Sequence, residues 1–132
     1  MYKIRRAVEI AGAHHLTLNY ESKCKNCHGH NWKIIVELSA MILNQNGMIL
    51  DFGVLKQIMN EVITDKFDHK DINETVYFNP TAENLAHHIC YEITNLLRYK
   101  YSIELGSNVQ CTRVEIFESS NNVAIFECDY QE

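Results

Sequence analysis

The sequence predicts an α+β domain in which an antiparallel four-stranded sheet, built in the order ββααββ, carries two helices on one face. Alternating apolar residues near both ends of the 132-residue chain indicate two pairs of strands. Two central segments carry apolar residues at helical spacing, which indicates two amphipathic helices. One Pro and five Gly give no sign of a linker, so we expect residues 1–132 to form a single domain.

The first pair of strands is predicted over residues 2–14 and 30–42. In the first segment, one parity is apolar apart from Arg6: Tyr2, Ile4, Val8 and Ile10. In the second segment, apolar residues alternate with polar ones: Trp32, Ile34, Val36, Leu38 and Ala40. A polar loop from Asn19 to Gly29 separates the two strands, and the run 44–47 is a turn signal.

The two helices are predicted to follow Asp51 and Thr81, both of which are good N-cap residues. Residues 66–80 between the helices are expected to form a polar loop. Gly106-Ser107-Asn108 is expected to end the second helical segment. Two strands are predicted beyond it, at about 109–118 and 123–130, joined by a polar hairpin turn at 119–122.

Composition narrows the possible functions. The net charge of -5 argues against nucleic-acid binding, which relies on clustered Lys and Arg. We expect neither a secretory leader nor a membrane-spanning segment, because no apolar stretch is long enough. The chain is therefore predicted to be cytoplasmic, with its five cysteines reduced and with Cys90, Cys111 and Cys128 packed as small hydrophobic residues.

Three histidines at the ends of the first two strands form a candidate metal site. His28 and His30 are two residues apart in a strand and therefore project from the same face. His14 shares the apolar parity of the first strand, so three imidazoles can converge, as in a catalytic zinc site. His15 is an alternative third ligand if a bulge shifts the register. The His-Gly-His pair alone is equally compatible with two ordinary, satisfied histidines.

Cys24 and Cys27 allow a different interpretation of the same region. Their CxxC spacing, directly before His28, could build a structural zinc knuckle with His28 and His30. In that alternative, the chain is a non-catalytic, zinc-stapled binding module.

Two acidic positions complete the candidate functional residues. Asp68 beside His69 could orient the imidazole as an acid/base relay, although an exposed polar loop explains the same residues. Glu118 follows Val114 and Ile116 on the same parity, so its carboxylate needs a partner such as a guanidine-like ligand edge. An exposed glutamate at the end of a strand is the alternative.

Together these residues resemble the 6-pyruvoyl-tetrahydropterin synthase / 6-carboxytetrahydropterin synthase family. The resemblance runs nearly end to end and is specific in combination. It rests on Ala13-His14, Cys24-x-x-x-His28-Gly29-His30, Asp68-His69, Glu118, and the segments 51–56 and 79–84.

The resemblance implies roles for the matched residues. The zinc ligands would be His14, His28 and His30. Cys24 would be the catalytic thiol and general base, with Asp68 and His69 completing the proton-transfer set. Glu118 would anchor the pterin by its 2-amino and N3–H edge, and Thr81 and Ala82 would lie near the pterin through backbone groups.

The resemblance also implies an architecture and a reaction. The family has the tunnelling fold, in which three subunits close a barrel and two trimers stack as a homohexamer, with active sites between subunits. Unpaired edges of a four-stranded sheet agree with such assembly. The substrate would be the small molecule 7,8-dihydroneopterin triphosphate, with Zn²⁺ as cofactor and neither nucleic acid nor membrane as a partner.

The short gap between Cys24 and His28 is similar to that of the carboxy-forming enzymes of queuosine biosynthesis. The resemblance thus favours 6-carboxytetrahydropterin synthase, a carbon–carbon lyase. Alternatives are a 6-pyruvoyl-tetrahydropterin synthase and a non-catalytic zinc- or pterin-binding module. The chain departs from the family pattern at Ile10, Gly12, His15 and Cys27, and Cys27 leaves a second candidate for the catalytic thiol. Lys23 and Lys25 are candidate triphosphate-binding residues by position alone.

Overall fold

A computed structural model describes residues 1–101 and 108–129 of the protein. Its centre is a five-stranded sheet in the order β3-β1-β2-β4-β5. The strands are β1 (Tyr2–His14), β2 (His28–Ala40), β3 (Lys70–Asp71), β4 (Gln110–Phe117) and β5 (Val123–Glu127). The β1–β2, β2–β4 and β4–β5 pairs are antiparallel, whereas β3 pairs with β1 in parallel.

The β1–β2 ladder runs without interruption from Tyr2↔Ala40 to His14↔His28. Even-numbered residues of both strands face the core, where Trp32, Ile34 and Val36 are almost fully buried. The predicted bounds of β1 are correct, but β2 begins and ends two residues earlier than predicted. His28 and Gly29 carry no apolar alternation, and only their pairing with His14 and Ala13 shows that they belong to the strand.

The first helical region begins at Phe52, with Asp51 as its N-cap accepting from the Gly53 N–H at 2.6 Å. Its parts are α1 (Phe52–Met59), a π-helical turn (Asn60–Thr64) and α2 (Asp65–Phe67), which are continuous. Residues predicted to be an irregular loop contain β3 and the short helix α3 (Ile72–Thr75). Elements of two to four residues carry too little periodicity to be seen in a sequence.

The second helix, α4 (Ala82–Asn95), has Thr81 as its N-cap and continues into a π-helical turn, Leu96–Lys100. It packs against β4 and β5. The predicted helix stop at Gly106-Ser107 and the last residue of the predicted strand 123–130 lie outside the described residues. Cys90 and Cys111 are buried as predicted, but Cys128 is exposed, because it lies one residue beyond the end of β5.

The α+β fold predicted from the sequence is confirmed, with one addition. The prediction of four antiparallel strands lacked the two-residue strand β3, which covers the outer edge of β1 at Gly12 and Ala13. In the described part of the chain, no helix combines the length and apolar character needed to cross a bilayer.

Candidate functional site

Three histidine side chains meet at the end of the β1–β2 ladder. His14 and His28 are cross-strand partners, and His30 lies two residues further along the same face. Their ring centroids are 4.6 Å apart for His14–His28, 5.1 Å for His14–His30 and 4.9 Å for His28–His30. Strand register alone therefore brings the three imidazoles together, in the arrangement expected from the sequence.

Glu118 joins these histidines from the turn after β4. Its Oε1 lies 3.1 Å from His14 Nε2 and 3.2 Å from His30 Nε2. One ligand atom from each of the four residues can be chosen so that all lie within 4.8 Å of one another. The Glu118 carboxylate therefore faces two imidazole nitrogens of its own chain.

Burial keeps the site suited to a metal ion. Desolvation lowers the pKa of both His14, which is fully buried, and His30, so that the neutral, metal-binding form of each ring is favoured. Despite the nearby Glu118 oxygen, neither His14 Nε2 nor His30 Nε2 makes a well-aligned hydrogen bond within the described residues. Buried nitrogens without such a bond, beside a third imidazole and a carboxylate, fit a zinc-type ligand set.

Outer contacts fix which ring nitrogen points into the cluster. His14 Nδ1 lies 2.8 Å from the Pro80 carbonyl, and His28 Nδ1 lies 2.7 Å from the Asn26 carbonyl. A neutral ring that donates from Nδ1 presents the Nε2 lone pair, which is the usual second-shell arrangement of metal-binding histidines. Trp32 packs edge-on against His14 and His30, at centroid distances of 4.9 and 5.1 Å.

Asp68 and His69 contact each other and are held in place by a backbone hydrogen bond, so they do not form a free loop. Asp68 Oδ1 accepts from the Ala11 N–H at 2.9 Å and lies 3.0 Å from His69 Nδ1. The Ala11 hydrogen bond and then the contact with His69 hold the pKa of Asp68 below its usual range, outweighing its partial desolvation. His69 adopts φ of 57°, an uncommon conformation for a residue with a Cβ.

The exposed His69 borders a groove that also includes His30, one residue of the histidine cluster. The groove has a volume of about 460 Å³, and its lining includes His30, His69, Lys70 and the backbone around Gly12. Of the cluster residues, His30 is the one in this lining, together with Ala11, Ala13, Gly29 and Asn31 from the odd-numbered positions of β1 and β2.

Cys24 lies in a short 3₁₀ turn, Lys23–Lys25, and is partly buried. Its carbonyl accepts from the Leu16 N–H at 2.8 Å, which ties the turn to the end of β1. Neither Cys24 nor the exposed Cys27 belongs to the four-residue cluster found among the described residues. The structure thus assembles His14 and Glu118 with His28 and His30, and does not assemble the cysteine knuckle.

The remaining candidates surround the cluster. His15 is turned to Asn73, which bonds its backbone and lies 3.4 Å from its ring Nε2, so His14 and not His15 faces His28. Thr81 Oγ1 caps α4 by accepting from the Asn84 N–H at 3.1 Å, and Ala82 is buried in the first turn. Both follow the Pro80 carbonyl that contacts His14. Lys25 pairs with Glu21.

Sequence reasoning did not anticipate the residues that support this site. Pro80, Trp32, Asn73 and Asn79 each act through contacts with residues far away in the chain. The Asn-Pro-Thr run before α4 was visible as a helix start, but nothing in it indicated which histidine its carbonyl would meet.

The fold and the site together define a class of protein. It is a small α+β protein in which three histidines meet at the ends of two strands and form a candidate metal centre. The family model for 6-pyruvoyl tetrahydropterin synthase matches residues 3–129. The chain belongs to this family, as the motif resemblance predicted.

Individual relatives agree with this assignment. An Archaeoglobus fulgidus protein, provisionally assigned as a 6-carboxy-5,6,7,8-tetrahydropterin synthase, is 42% identical over 92 residues, which cover 70% of each chain. The 6-carboxy-5,6,7,8-tetrahydropterin synthase of Rickettsia felis is 27% identical over 140 residues, covering 92% of this chain and 96% of its own. The solved structure of Caenorhabditis elegans 6-pyruvoyl tetrahydropterin synthase has the same fold, with a TM-score of 0.78, 24% identity and coverage of 97% and 96%.

Proposed function

We propose that this protein is a zinc-dependent 6-carboxy-5,6,7,8-tetrahydropterin synthase. It would convert 7,8-dihydroneopterin triphosphate and water to 6-carboxy-5,6,7,8-tetrahydropterin, acetaldehyde and triphosphate, as a carbon–carbon lyase of queuosine biosynthesis. The observation that carries the proposal is the cluster of three imidazoles and Glu118 at the end of the β1–β2 ladder. The names of the archaeal and rickettsial relatives support the carboxy product over the pyruvoyl product.

His14, His28 and His30 would hold the zinc ion through their ring nitrogens. When bound, zinc would polarise the side-chain hydroxyls of the substrate and make the adjacent C–H protons easier to remove. The carbonyls of Pro80 and Asn26 would keep the His14 and His28 rings in the tautomer that presents Nε2.

Cys24 and the Asp68–His69 pair would move protons. Cys24 would act as the general base in its thiolate form. His69 holds Nδ1 against Asp68 Oδ1, so its Nε2 would exchange a proton with the substrate. The Ala11 hydrogen bond lowers the pKa of Asp68 and favours its ionised form, which would accept from His69 Nδ1.

Glu118, Thr81 and Ala82 would hold the pterin ring. A carboxylate can accept both the 2-amino and N3–H donors of a pterin, which suits Glu118 at the mouth of the cluster. Ala82 begins α4, whose first N–H groups have no intrahelical partner. The Glu118 oxygen also lies close to two ring nitrogens, so Glu118 could bind the pterin or help to hold zinc. A variant without the carboxylate distinguishes these two roles. Glu118→Gln is expected to keep zinc and weaken pterin binding, whereas loss of zinc would make Glu118 a ligand.

The proposed working form is a cytoplasmic homohexamer built as a dimer of trimers, with active sites between subunits. The edges of β5 and of the β1 segment beyond β3 offer backbone groups for pairing between copies.

The decisive experiment is anaerobic incubation of the zinc-loaded protein with 7,8-dihydroneopterin triphosphate, followed by identification of products by mass. 6-Carboxytetrahydropterin with acetaldehyde would support the proposal. The pyruvoyl product alone would keep the site roles and change the reaction branch. An intact, zinc-bound protein without turnover would contradict the enzyme assignment and favour a binding module.

A further inference from the structure

The outer edge of β1 and of the three residues that follow it is covered, from Ala11 to Thr17, by groups from a single stretch of chain, residues 68–79. Asp68 accepts from the Ala11 N–H, and the His69 N–H donates to the Ala11 carbonyl at 2.6 Å. β3 then pairs with Gly12 and Ala13. Beyond this point, the edge is satisfied by side chains in place of a strand.

Two asparagines continue this edge, and each uses both the oxygen and the nitrogen of its side-chain carboxamide. Asn73 accepts from the His15 N–H at 2.9 Å and donates to the His15 carbonyl at 3.0 Å. Asn79 does the same for Thr17, at 2.8 and 3.0 Å. A carboxamide pairs with a donor and an acceptor at once, as a peptide group does. Asn73 and Asn79 therefore hold residues 15–17 as a strand neighbour would.

The segment held in this way carries the Cys24 turn. The Leu16 N–H, between the two bonded residues, points the other way and donates to the Cys24 carbonyl at 2.8 Å. Asn79 is itself held in place, because its backbone carbonyl accepts from the Thr81 N–H and from the Asn84 side chain. Pro80, the next residue, contacts His14 through its carbonyl. One short run thus touches both the histidine cluster and the thiol segment.

We propose that Asn79, assisted by Asn73, is a positioning residue that sets the Cys24 thiol relative to the histidine cluster. The inference rests on the proposed function, in which Cys24 is the general base. The β1–β2 ladder fixes His14 and His28 by register but ends at that pair, so the thiol turn bonds to residues beyond the ladder, which Asn73 and Asn79 hold. Loss of the Asn79 carboxamide should move Cys24 without releasing the histidines.

The test compares Asn79→Ala and the isosteric Asn79→Asp with the control Asn108→Ala. Asn108 also bridges backbone groups, accepting from Met41 and Ile42 and donating to Ile42, but at the opposite end of β2. In zinc-loaded protein, iodoacetamide labelling of Cys24 is followed by peptide mass spectrometry, with the exposed Cys128 as internal reference.

In both Asn79 variants we expect the Cys24-to-Cys128 labelling ratio to change several-fold, with zinc content kept. We also expect kcat to fall by about 10-fold or more with a smaller change in KM. Asn108→Ala should leave the ratio and kcat at wild-type values. An Asn79 variant with lowered thermal stability but unchanged ratio and kcat would overturn the proposal, and so would loss of zinc.

The labelling ratio needs no turnover, so it separates the two hypotheses. A wild-type protein without activity, whose ratio still responds to Asn79→Ala, would refute the proposed function and keep the positioning role. An active wild type whose labelling ratio does not respond to Asn79→Ala would support the proposed function and refute the positioning role.

Discussion

Two polar clusters lie on opposite faces of the same strands, and they differ in whether their hydrogen bonds are complete. On the core face, His14 and His30 leave buried ring nitrogens without a well-aligned partner among the described residues. On the other face, Glu37 is only 3% exposed, yet both of its carboxylate oxygens have donors. The Glu37 carboxylate thus has its hydrogen-bond donors within the chain, whereas two buried ring nitrogens of the histidine cluster have no well-aligned partner among the described residues.

The Glu37 cluster is a closed network. Glu37 accepts from Arg5 Nε at 3.1 Å and from Thr112 Oγ1 at 2.9 Å, with Lys3 Nζ at 3.7 Å. Since Thr112 donates to Glu37, the 2.6 Å contact between Thr112 and Ser39 has Ser39 as donor. Burial raises the pKa of Glu37, but the bonds from Thr112 and Arg5 outweigh it, and the net pKa is lowered.

The largest expected effect is on metal binding at the histidine cluster. His30→Ala should weaken zinc binding by more than about 100-fold, since partners beyond the ligands already contribute 10- to 100-fold. The fold should persist, because His30 lies at the end of the ladder. Metal analysis after dialysis measures the effect, with the exposed His87→Ala as control. Full zinc retention by His30→Ala would show that the cluster is not the metal site.

At the Glu37 cluster, where both carboxylate oxygens have donors, a large loss of stability is expected. Glu37→Ala should lower the free energy of unfolding by about 2–3 kcal/mol, because it removes the charged acceptor of the buried Thr112 hydroxyl. Urea denaturation measures the change, and zinc content should be unaffected. The matched control is Glu127→Ala, whose carboxylate pairs with Arg113 but is 63% exposed, and which should cost under about 1 kcal/mol. Equal losses for both variants would contradict a special role for Glu37.

A smaller effect is expected from one hydroxyl. Thr112→Val keeps the shape but removes the donor to Glu37 and the acceptor for Ser39, so about 1 kcal/mol should be lost. In a double-mutant cycle with Glu37→Gln, the two losses should not add, because they share a bond. Strict additivity would mean that the Thr112–Glu37 contact contributes nothing.

The smallest effect is a pH dependence at the Glu37 cluster. A lowered folded-state pKa gives stability that is fully present above the unfolded value of about 4.3 and is lost as pH falls through the folded value. The charged groups that face Glu37 are Lys3, Arg5 and Arg113. The stability difference between wild type and Glu37→Gln should therefore shrink between pH 7 and pH 3 in denaturant titrations. A difference independent of pH would rule out the ionised pair as its source.

These two clusters also differ in how far the sequence could predict them. The His28-Gly29-His30 pair and His14 were accessible, because strand parity determines which side chains share a face. The role of Glu37 was not, since its burial depends on a register shift after Glu37 that brings Thr112 beneath it from β4. Partners 32 and 75 residues away leave no local pattern.

The same limit applies to the fold. The long strand β1 and both main helices carry enough apolar periodicity to be predicted, and their starts were marked by Asp51 and Thr81. The two-residue strand β3 and the asparagines that continue it were not predicted, because their hydrogen bonds exist only once β1 lies beside them. Cys128 was wrongly expected to be packed, since parity gives no information one residue past a strand end.

The cross-strand pairing of His14 with His28 has a consequence for how such an enzyme can diversify. The connection between them lies outside the ladder, so added residues around 18–23 would leave the register, and with it the three imidazoles, unchanged. Doubling the length of a flexible connection costs only about 0.6 kcal/mol. Natural variation could therefore change the segment that carries Cys24 while the three imidazoles keep the same arrangement.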